Sequence, residues 1–383
     1  VSLLEHPNSW HRETAARLIF ERQDKSAVDS LRALLRDSQS GLARFHAIGC
    51  LEGLAALEAR DVIIARYDFY DGVRERAALA AENFTTSRDV LTRLVSLSTD
   101  TNLRVQMQLA FSLGEFPQSP ETKQALEHIL ATAGSDRWIR TAVFSSLGNG
   151  AEEALKRLVA DNALSPANRI VVLPELADLV ARQVSDEPGW SRIASIVSQR
   201  DDDPALQVRI LRAVYSANRN AKDSPAFAVL VTRLLKAARQ KAMEESLEAD
   251  QRASAVRVLG LSTFADEGEL LLESLASTQP PAVQNAAMAT LITFGDDGVA
   301  AVLLERWTEL TPALAAQARE GLMSRTSWTV LLLDAITNSR LPNSTLSPSE
   351  LQRLADLPDE GVRSRALKLL ETTARSSRDE VLR

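Results

Sequence analysis

The stretch that decides the fold is DGVRERAALAAE, residues 71–82. It holds an acidic residue, then an apolar residue and an arginine, then small and apolar residues at helical spacing. The same phrase returns as DTNLRVQMQLAFSLGE from Asp100 and as DRWIRTAVFSSLG from Asp136, with weaker copies elsewhere. Self-similarity with a period of about 20–50 residues is the signature of repeat architectures. The pattern therefore predicts a chain built from copies of one supersecondary unit.

A second helical segment lies between successive copies of this phrase. SRDVLTRLVSLST (87–99) and ETKQALEHILATA (121–133) both place apolar residues at the i, i+3, i+4 and i+7 spacing of an amphipathic helix. The turns carry Gly, Pro, Asp, Asn or Ser, which interrupt helices for known backbone reasons. Each unit is therefore predicted to be a helix, a short turn and a second helix.

A two-helix repeat with an acidic residue followed by Val-Arg in its first helix resembles the HEAT and HEAT-like repeat family. The resemblance implies an all-α fold, an α-solenoid in which about ten antiparallel helix pairs stack into a superhelix. We assign residues 1–340 to this solenoid. Residues 341–383 are predicted to be a linker and a C-terminal helical cap, or the start of the connection to a following domain, because 338–350 is rich in Ser, Asn and Pro.

Two sets of residues follow from this alignment of the repeats. The first set is the core between stacked helices, predicted at Leu79, Leu109, Leu113, Val143 and Leu147. The second set is a structural ladder of recurring acidic residues and arginines: Asp71, Arg74, Asp100, Arg104, Asp136 and Arg140. Each guanidinium is expected to reach a turn carboxylate or a helix-end carbonyl, because the planar fork of arginine can engage two acceptors.

The composition limits the classes of function. The 383 residues include 45% apolar and 25% charged residues, which is ordinary for a protein with a large buried core. The net charge of −7 argues against a nucleic-acid partner, since such proteins need a basic face. No apolar run approaches the roughly 18 residues that suggest a membrane span. The chain starts at Val1 without an initiator methionine, so we expect a mature form or a piece of a longer protein.

Two groups of residues are candidates for metal chemistry. In HPNSWHRETAARLIFER (6–22), His6 and His11 are five residues apart and do not share a helical face, so this stretch is interpreted as a helix start, with Trp10 covering the first apolar layer. His46 and Cys50 share a face at i and i+4, but nothing nearby supplies further ligands. We therefore predict no catalytic residue, no bound cofactor and no metal site in this segment.

These observations favour a non-catalytic scaffold whose partners are proteins or neighbouring domains of the same chain, without nucleic acid. Two alternatives stay open. One is a HEAT-like enzyme or ligand-binding solenoid with a concave small-molecule or metal site. The other is a free-standing cytosolic adaptor.

The amino-acid sequences of the first five repeats show a closer resemblance, to one particular family of HEAT-containing proteins. HPNSWHRETAARLIFERQD, LARFHAIGCLEGL, VRERAALAAE, LRVQMQLAFSLGE and WIRTAVFSSL resemble, in this order, the helical middle region of planctomycete-type membrane-bound dehydrogenases that bind haem. In that family a sorbosone-dehydrogenase-like β-propeller precedes the region, and a c-type cytochrome domain with Cys-x-x-Cys-His follows it. The resemblance covers residues 1–160 well and implies a spacer in a periplasmic or otherwise exported protein. Haem c would belong to a flanking domain, because Cys50 is the only cysteine here.

Overall fold

The computed structural model describes residues 1–160 and 164–381, with side chains up to Glu371. All regular structure in these residues is helical, and they contain no strand. The chain divides into two compact units: unit 1 comprises residues 1–201 and 209–227, and unit 2 comprises residues 202–208 and 228–383. The prediction of an all-α solenoid of paired helices is confirmed.

Unit 1 is built from helix pairs. Its helices are α1 (Ser9–Arg22), α2 (Val28–Asp37), α3 (Gly41–Gly53), α4 (Ala59–Ala65), α5 (Asp71–Ala80), α6 (Arg88–Leu94), α7 (Leu103–Glu115), α8 (Pro120–Ala133), α9 (Arg137–Leu147), α10 (Ala151–Ala160), α11 (Pro166–Gln183) and α12 (Glu187–Ser198). Short 3-10 turns link several of them, among them Ser2–Glu5 and Val95–Thr99.

The helices of unit 1 form two layers. In the first layer α1, α3, α5, α7 and α9 pack side by side, and in the second layer α2, α4 and α6 do the same, as do α8 and α10. Small side chains permit close packing in the first layer: Ala43, Ala47, Ala77, Ala110 and Ala142 are fully buried. A single helix pair cannot bury its own apolar faces, so the hydrophobic core forms where neighbouring pairs stack.

Unit 2 continues the same plan. Helices α13 (Pro204–Ala217) and α14 (Pro225–Met243) contribute residues to both units. The remaining helices are α15 (Ala249–Val258), α16 (Phe264–Glu273), α17 (Pro281–Phe294), α18 (Asp297–Glu305), α19 (Pro312–Met323), α20 (Thr326–Thr337), α21 (Pro348–Ala355) and α22 (Glu360–Val381). Here α15, α17 and α19 pack in series, α16, α18 and α20 form the second layer, and α22 packs on α20 and α21.

The segment predicted as a linker is part of the folded body of unit 2. Leu341 and Leu346 are buried on either side of a 3-10 turn at Asn343–Thr345. Ser347 then caps α21 with a capping box that includes Glu350. The polar residues of 338–350 therefore serve as turn and cap residues. Turns, caps and linkers use the same residue types, so composition alone did not distinguish them.

The core prediction holds for four of its five residues. Leu109, Leu113, Val143 and Leu147 are fully buried, whereas Leu79 is only half-buried. In α5 the fully buried positions are instead Val73, Ala77, Ala78 and Ala80. Leu79 therefore does not belong to the fully buried face of α5.

We expect Leu109→Ala to lower the free energy of unfolding by about 2–5 kcal/mol, because it leaves a cavity between stacked helices. Leu79→Ala is the matched control and should cost clearly less, since its side chain already contacts solvent. Urea unfolding followed by circular dichroism measures both. Equal losses in the two variants would contradict the assignment of the buried face.

Candidate functional site

Five first-layer helices of unit 1 have an arginine or a glutamine as their fourth residue. In each case this side chain donates a hydrogen bond to the backbone carbonyl six residues earlier. The bonds run from Arg12 Nη1 to His6 O (2.8 Å), from Arg44 Nη1 to Ser38 O (2.6 Å), from Arg74 Nη1 to Asp68 O (2.8 Å), from Gln106 Nε2 to Asp100 O (2.7 Å) and from Arg140 Nη1 to Gly134 O (2.9 Å). We call this set the ladder and each bonded pair a rung.

The accepting carbonyls lie where the preceding helical segment ends. Ser38 ends α2, Asp100 ends the 3-10 turn before α7, and Gly134 ends α8. Carbonyls at such ends have no partner within their own helix. A buried carbonyl without a hydrogen bond would cost free energy, so the ladder satisfies a requirement that every helix pair creates.

Two carboxylates join consecutive rungs. Arg44 donates from Nε and Nη2 to Asp68 Oδ2 and Oδ1, both at 2.5 Å. Arg74 makes the same two-point contact with Asp100, at 2.6 and 2.9 Å. Asp68 and Asp100 therefore each have two roles: the backbone carbonyl accepts from the helix that follows, and the carboxylate accepts from the helix before. These two carboxylates tie the repeat of α3 to that of α5, and the repeat of α5 to that of α7.

The fourth and fifth rungs differ from this pattern. Gln106 is neutral, and the residue that would face it from the next turn is Gly134, which has no side chain. Arg140 binds Glu175 of α11 instead of a turn aspartate, at 2.6 and 2.9 Å. In unit 2, Arg252 and Gln284 hold the same helix position and also donate to carbonyls of the preceding segment.

Three of the six residues predicted for the ladder take no part in it. Arg104 is 74% exposed and pairs with Glu75 on the surface of the first layer, at 2.8 Å, while Gln106 occupies the rung. Asp71 accepts a hydrogen bond from the Asn102 side chain. Asp136 caps α9 by accepting from two backbone amides. The physical reason is one of register: Arg104 is the second residue of α7, so its side chain points away from the turn.

Charge pairing in the ladder shifts the pKa of its members. Burial alone would raise the pKa of the Asp100 carboxyl, but hydrogen bonds from the Arg74 side chain and the Asn102 amide outweigh burial and lower it. Hydrogen bonding to Asp68 raises the pKa of Arg44, and hydrogen bonding to Asp100 raises that of Arg74. The Arg74–Asp100 pair is therefore ionised at neutral pH.

The turns that precede the first-layer helices form one edge of unit 1. They comprise residues 6–8, 38–40, 66–70, 99–102 and 134–136. Bonds between consecutive turns or helix starts, such as Glu5 with Ser38 and Asp71 with Asn102, hold neighbouring turns together. We call this surface the turn edge.

The turn before α5 displays three aromatic side chains. Phe69 is fully exposed and Tyr67 is 69% exposed. The Arg66 guanidinium lies 3.4 Å from the centre of the Tyr67 ring, a cation–π contact that fixes its orientation. The Tyr70 ring lies against Gly41 and Gly72, where any side chain would collide with it.

Further apolar side chains stand along the same edge at the starts of the other helices. Trp10 is 64% exposed and Trp138 is 61% exposed, and Leu42 and Leu103 are partly exposed. Trp10, Leu42 and Trp138 are each the second residue of their helix. Trp10 therefore does not cover the first apolar layer, contrary to the prediction, because the second position of these helices points outward.

The opening stretch begins a helix, with Asn8 capping α1 by accepting from the Trp10 amide. The ring centres of His6 and His11 lie 4.1 Å apart with their planes tilted by 57°, and His6 Nδ1 accepts from the Asn8 amide. Among the residues that the structure describes, no group of three or more His, Cys, Asp or Glu side chains could hold a metal ion.

In α3, Cys50 is buried and His46 is half-buried. Burial raises the pKa of the Cys50 thiol to about 11, so the thiol keeps its proton at neutral pH. Burial, and then the charge of Arg12, lower the pKa of His46. These shifts are those of packed core groups, since a thiolate is the form that acts as nucleophile or metal ligand.

The fold and the ladder define the class of protein: an α-solenoid of stacked helix pairs. Residues 1–82 match a family model described as HEAT repeats. No curated protein sequence matches the chain. Within the described residues, no helix has both the length and the apolar character needed to cross a membrane.

Solved structures with similar helix arrangements include "Crystal structure of Kap121p", with a TM-score of 0.47 and 10% identity over 98% of this chain and 50% of that chain. "Crystal structure of Kap121p bound to Pho4p" gives 0.44 and 12% over 96% and 48%. A chain from "A conserved phosphorylation switch controls the interaction between cadherin and beta-catenin in vitro and in vivo" gives 0.30 and 14% over 98% of both chains. The chain spans about half the length of the two Kap121p chains.

Arg74→Gln should lower the free energy of unfolding by about 3 kcal/mol, because it leaves the buried Asp100 carboxylate without its charged partner. Arg104→Gln, the matched control, should cost about 0–1 kcal/mol, as expected for an exposed pair. Chemical denaturation measures both. A larger loss in Arg104→Gln than in Arg74→Gln would exclude the register described here.

Asp100→Asn should remove part of the acid sensitivity of the protein. The folded-state pKa of Asp100 is depressed, so its contribution to stability is present above its ordinary pKa and is lost as the pH falls through the depressed value. The stability difference between the parent and Asp100→Asn should therefore shrink on acidification. Urea titrations between about pH 6 and pH 2 test this, with Asp37→Asn, an exposed carboxylate, as baseline. A difference that grows on acidification would contradict it.

Proposed function

We propose that this chain is a non-catalytic helical-repeat scaffold that binds a protein partner, or a neighbouring domain of its own chain, along the turn edge of unit 1. The observation that carries the proposal is the fully exposed Phe69, whose own carbonyl and that of Asp68 both accept hydrogen bonds from Arg74 of the ladder.

Exposed aromatic side chains suit this role for a physical reason. Trp and Tyr dominate the energetics of protein interfaces, because a large ring buries much area and loses little conformational entropy. Scattered exposed apolar residues need no explanation, but here two tryptophans and three aromatic turn residues share one edge. The aspartates beneath them are paired with arginines, so approach of an apolar partner leaves the ladder charges compensated.

We further propose that the chain is the spacer of a larger exported, haem-containing dehydrogenase-like protein. The resemblance of the sequence of residues 1–160 to that family supports this proposal. Cys50 is the only cysteine of the sequence and its thiol is protonated, so haem attachment is left to another domain. The neighbouring coding sequence tests it. A signal peptide, a propeller and Cys-x-x-Cys-His in the same reading frame are expected, and an open reading frame without them would refute the spacer role and favour the adaptor.

Replacing the aromatic side chains of the turn edge should abolish partner binding without unfolding the protein. Phe69→Ser combined with Trp138→Ser is the test variant, and Val229→Ser combined with Met243→Ser, two exposed apolar side chains of unit 2, is the control. Each variant is used as bait in extracts of the source cells, with quantitative mass spectrometry. A protein retained by the parent and the control but lost by the test variant is expected.

The two double variants should melt within a few degrees of the parent, since surface substitutions usually change stability by less than about 0.5 kcal/mol. Partners retained equally by all three baits would show that the turn edge is not the docking surface.

A further inference from the structure

Charge is balanced at the second, third and fifth rungs of the ladder. Arg44 and Arg74 each face an aspartate, and Arg140 faces Glu175. Where the acidic side chain is replaced by Gly134, the donor is the neutral Gln106. At these four rungs of unit 1 a positive donor occurs with a carboxylate and a neutral donor occurs without one, whereas the guanidinium of Arg252 in unit 2 donates to the neutral side chain of Gln279.

The first rung breaks this rule. Arg12 is 7% exposed, and its Nη1 donates to His6 O and Pro7 O as in the other rungs. The residue in the place of Asp68 and Asp100 is Ser38, whose hydroxyl is bonded to Glu5. Among the residues that the structure describes, Arg12 has no ion-pair partner and its buried Nε has no acceptor.

The Nε of Arg12, which is buried and has no acceptor, belongs to the edge by which Arg44 and Arg74 bind carboxylates. In those rungs Nη1 holds the carbonyl, and Nε with Nη2 holds both oxygens of the acid. In Arg12 the carbonyl contact is made, so the guanidinium is already oriented. A buried guanidinium without a counter-charge is costly, and a carboxylate in this place would remove that cost.

We propose that Arg12 is an open rung that binds a carboxylate group supplied by a partner protein. The site lies on the turn edge, between the start of α1 and the turn that precedes α3, next to the exposed Trp10. The inference deepens the docking function proposed above by naming the chemical group that is recognised. The group is either a chain-terminal carboxylate or an Asp or Glu side chain.

The test uses the full chain with arginine labelled by nitrogen-15, so that the Nε–H signals report on guanidinium contacts. Arg12→Lys identifies the Arg12 signal by its loss. Two probes are titrated at millimolar concentration against sodium chloride of equal ionic strength: N-acetylglycinate for a chain terminus, and N-acetylaspartate α-amide for a side chain. A saturable shift of the Arg12 signal is expected with at least one of them, and the stronger probe identifies the source.

Ser38→Asp supplies the missing carboxylate from within the chain. It should move the Arg12 signal toward those of Arg44 and Arg74, remove the response to both probes, and raise the midpoint of thermal unfolding by about 2 °C or more. Glu5→Gln is the second control. If it alone shifts the Arg12 signal as strongly as a probe does, Glu5 closes the rung in solution and the proposal is wrong.

The absence of any probe-dependent shift in the parent protein would overturn the proposal, whatever Ser38→Asp does to stability. Failure of the docking function can be distinguished from failure of this proposal. The docking function is tested by partner recovery with the Phe69 and Trp138 variant, in which Arg12 is unchanged.

Discussion

The hydrogen bond from the fourth residue of a first-layer helix to the carbonyl six residues earlier is the constraint on which this structure depends. Every helix pair reverses the chain direction in a short turn, and every such turn leaves the carbonyls of the preceding helix end unpaired. Water could donate hydrogen bonds to these carbonyls only if the turns remained exposed to solvent, yet close stacking of the layers buries the carbonyls. An arginine or glutamine at one fixed helix position resolves this conflict, and the repeat in the sequence reflects that solution.

The sequence was sufficient to predict the fold, because helical periodicity and the recurring arginine report on local requirements that every unit shares. It was not sufficient to predict the register of α7. Matching Leu103-Arg104 to Val73-Arg74 assigned the rung to Arg104, whereas the structure assigns it to Gln106. The same shift of two residues explains Leu79, which is matched to Leu109 in the first alignment although Ala77 is its structural counterpart. The buried positions Ala77, Leu109 and Val143, each three residues after a rung, would have given the correct alignment.

The aromatic surface was harder to foresee for a different reason. Periodicity identifies the side chains that a helix buries, but it says little about turns, where exposure depends on how the neighbouring units pack. Tyr67, Phe69 and Tyr70 lie in such a turn, and Trp10 lies at a helix start where an apolar residue is normally read as core. One signal was available: three of the few aromatic residues of this chain fall within four positions, in the sequence YDFY from Tyr67 to Tyr70.

The ladder and the aromatic edge are consequences of the same turns. Asp68 bonds its carboxylate to Arg44 and to the Tyr70 amide, and its carbonyl to Arg74, so the backbone on both sides of Phe69 is held by bonds to two helices. A side chain mounted on such a backbone loses little further freedom when a partner covers it, and the entropic cost of association falls accordingly. Bonds that satisfy helix-end carbonyls thus also preorganise the surface above them. A solenoid can therefore vary its exposed turn residues to suit a partner while the buried donors beneath keep each unit in place.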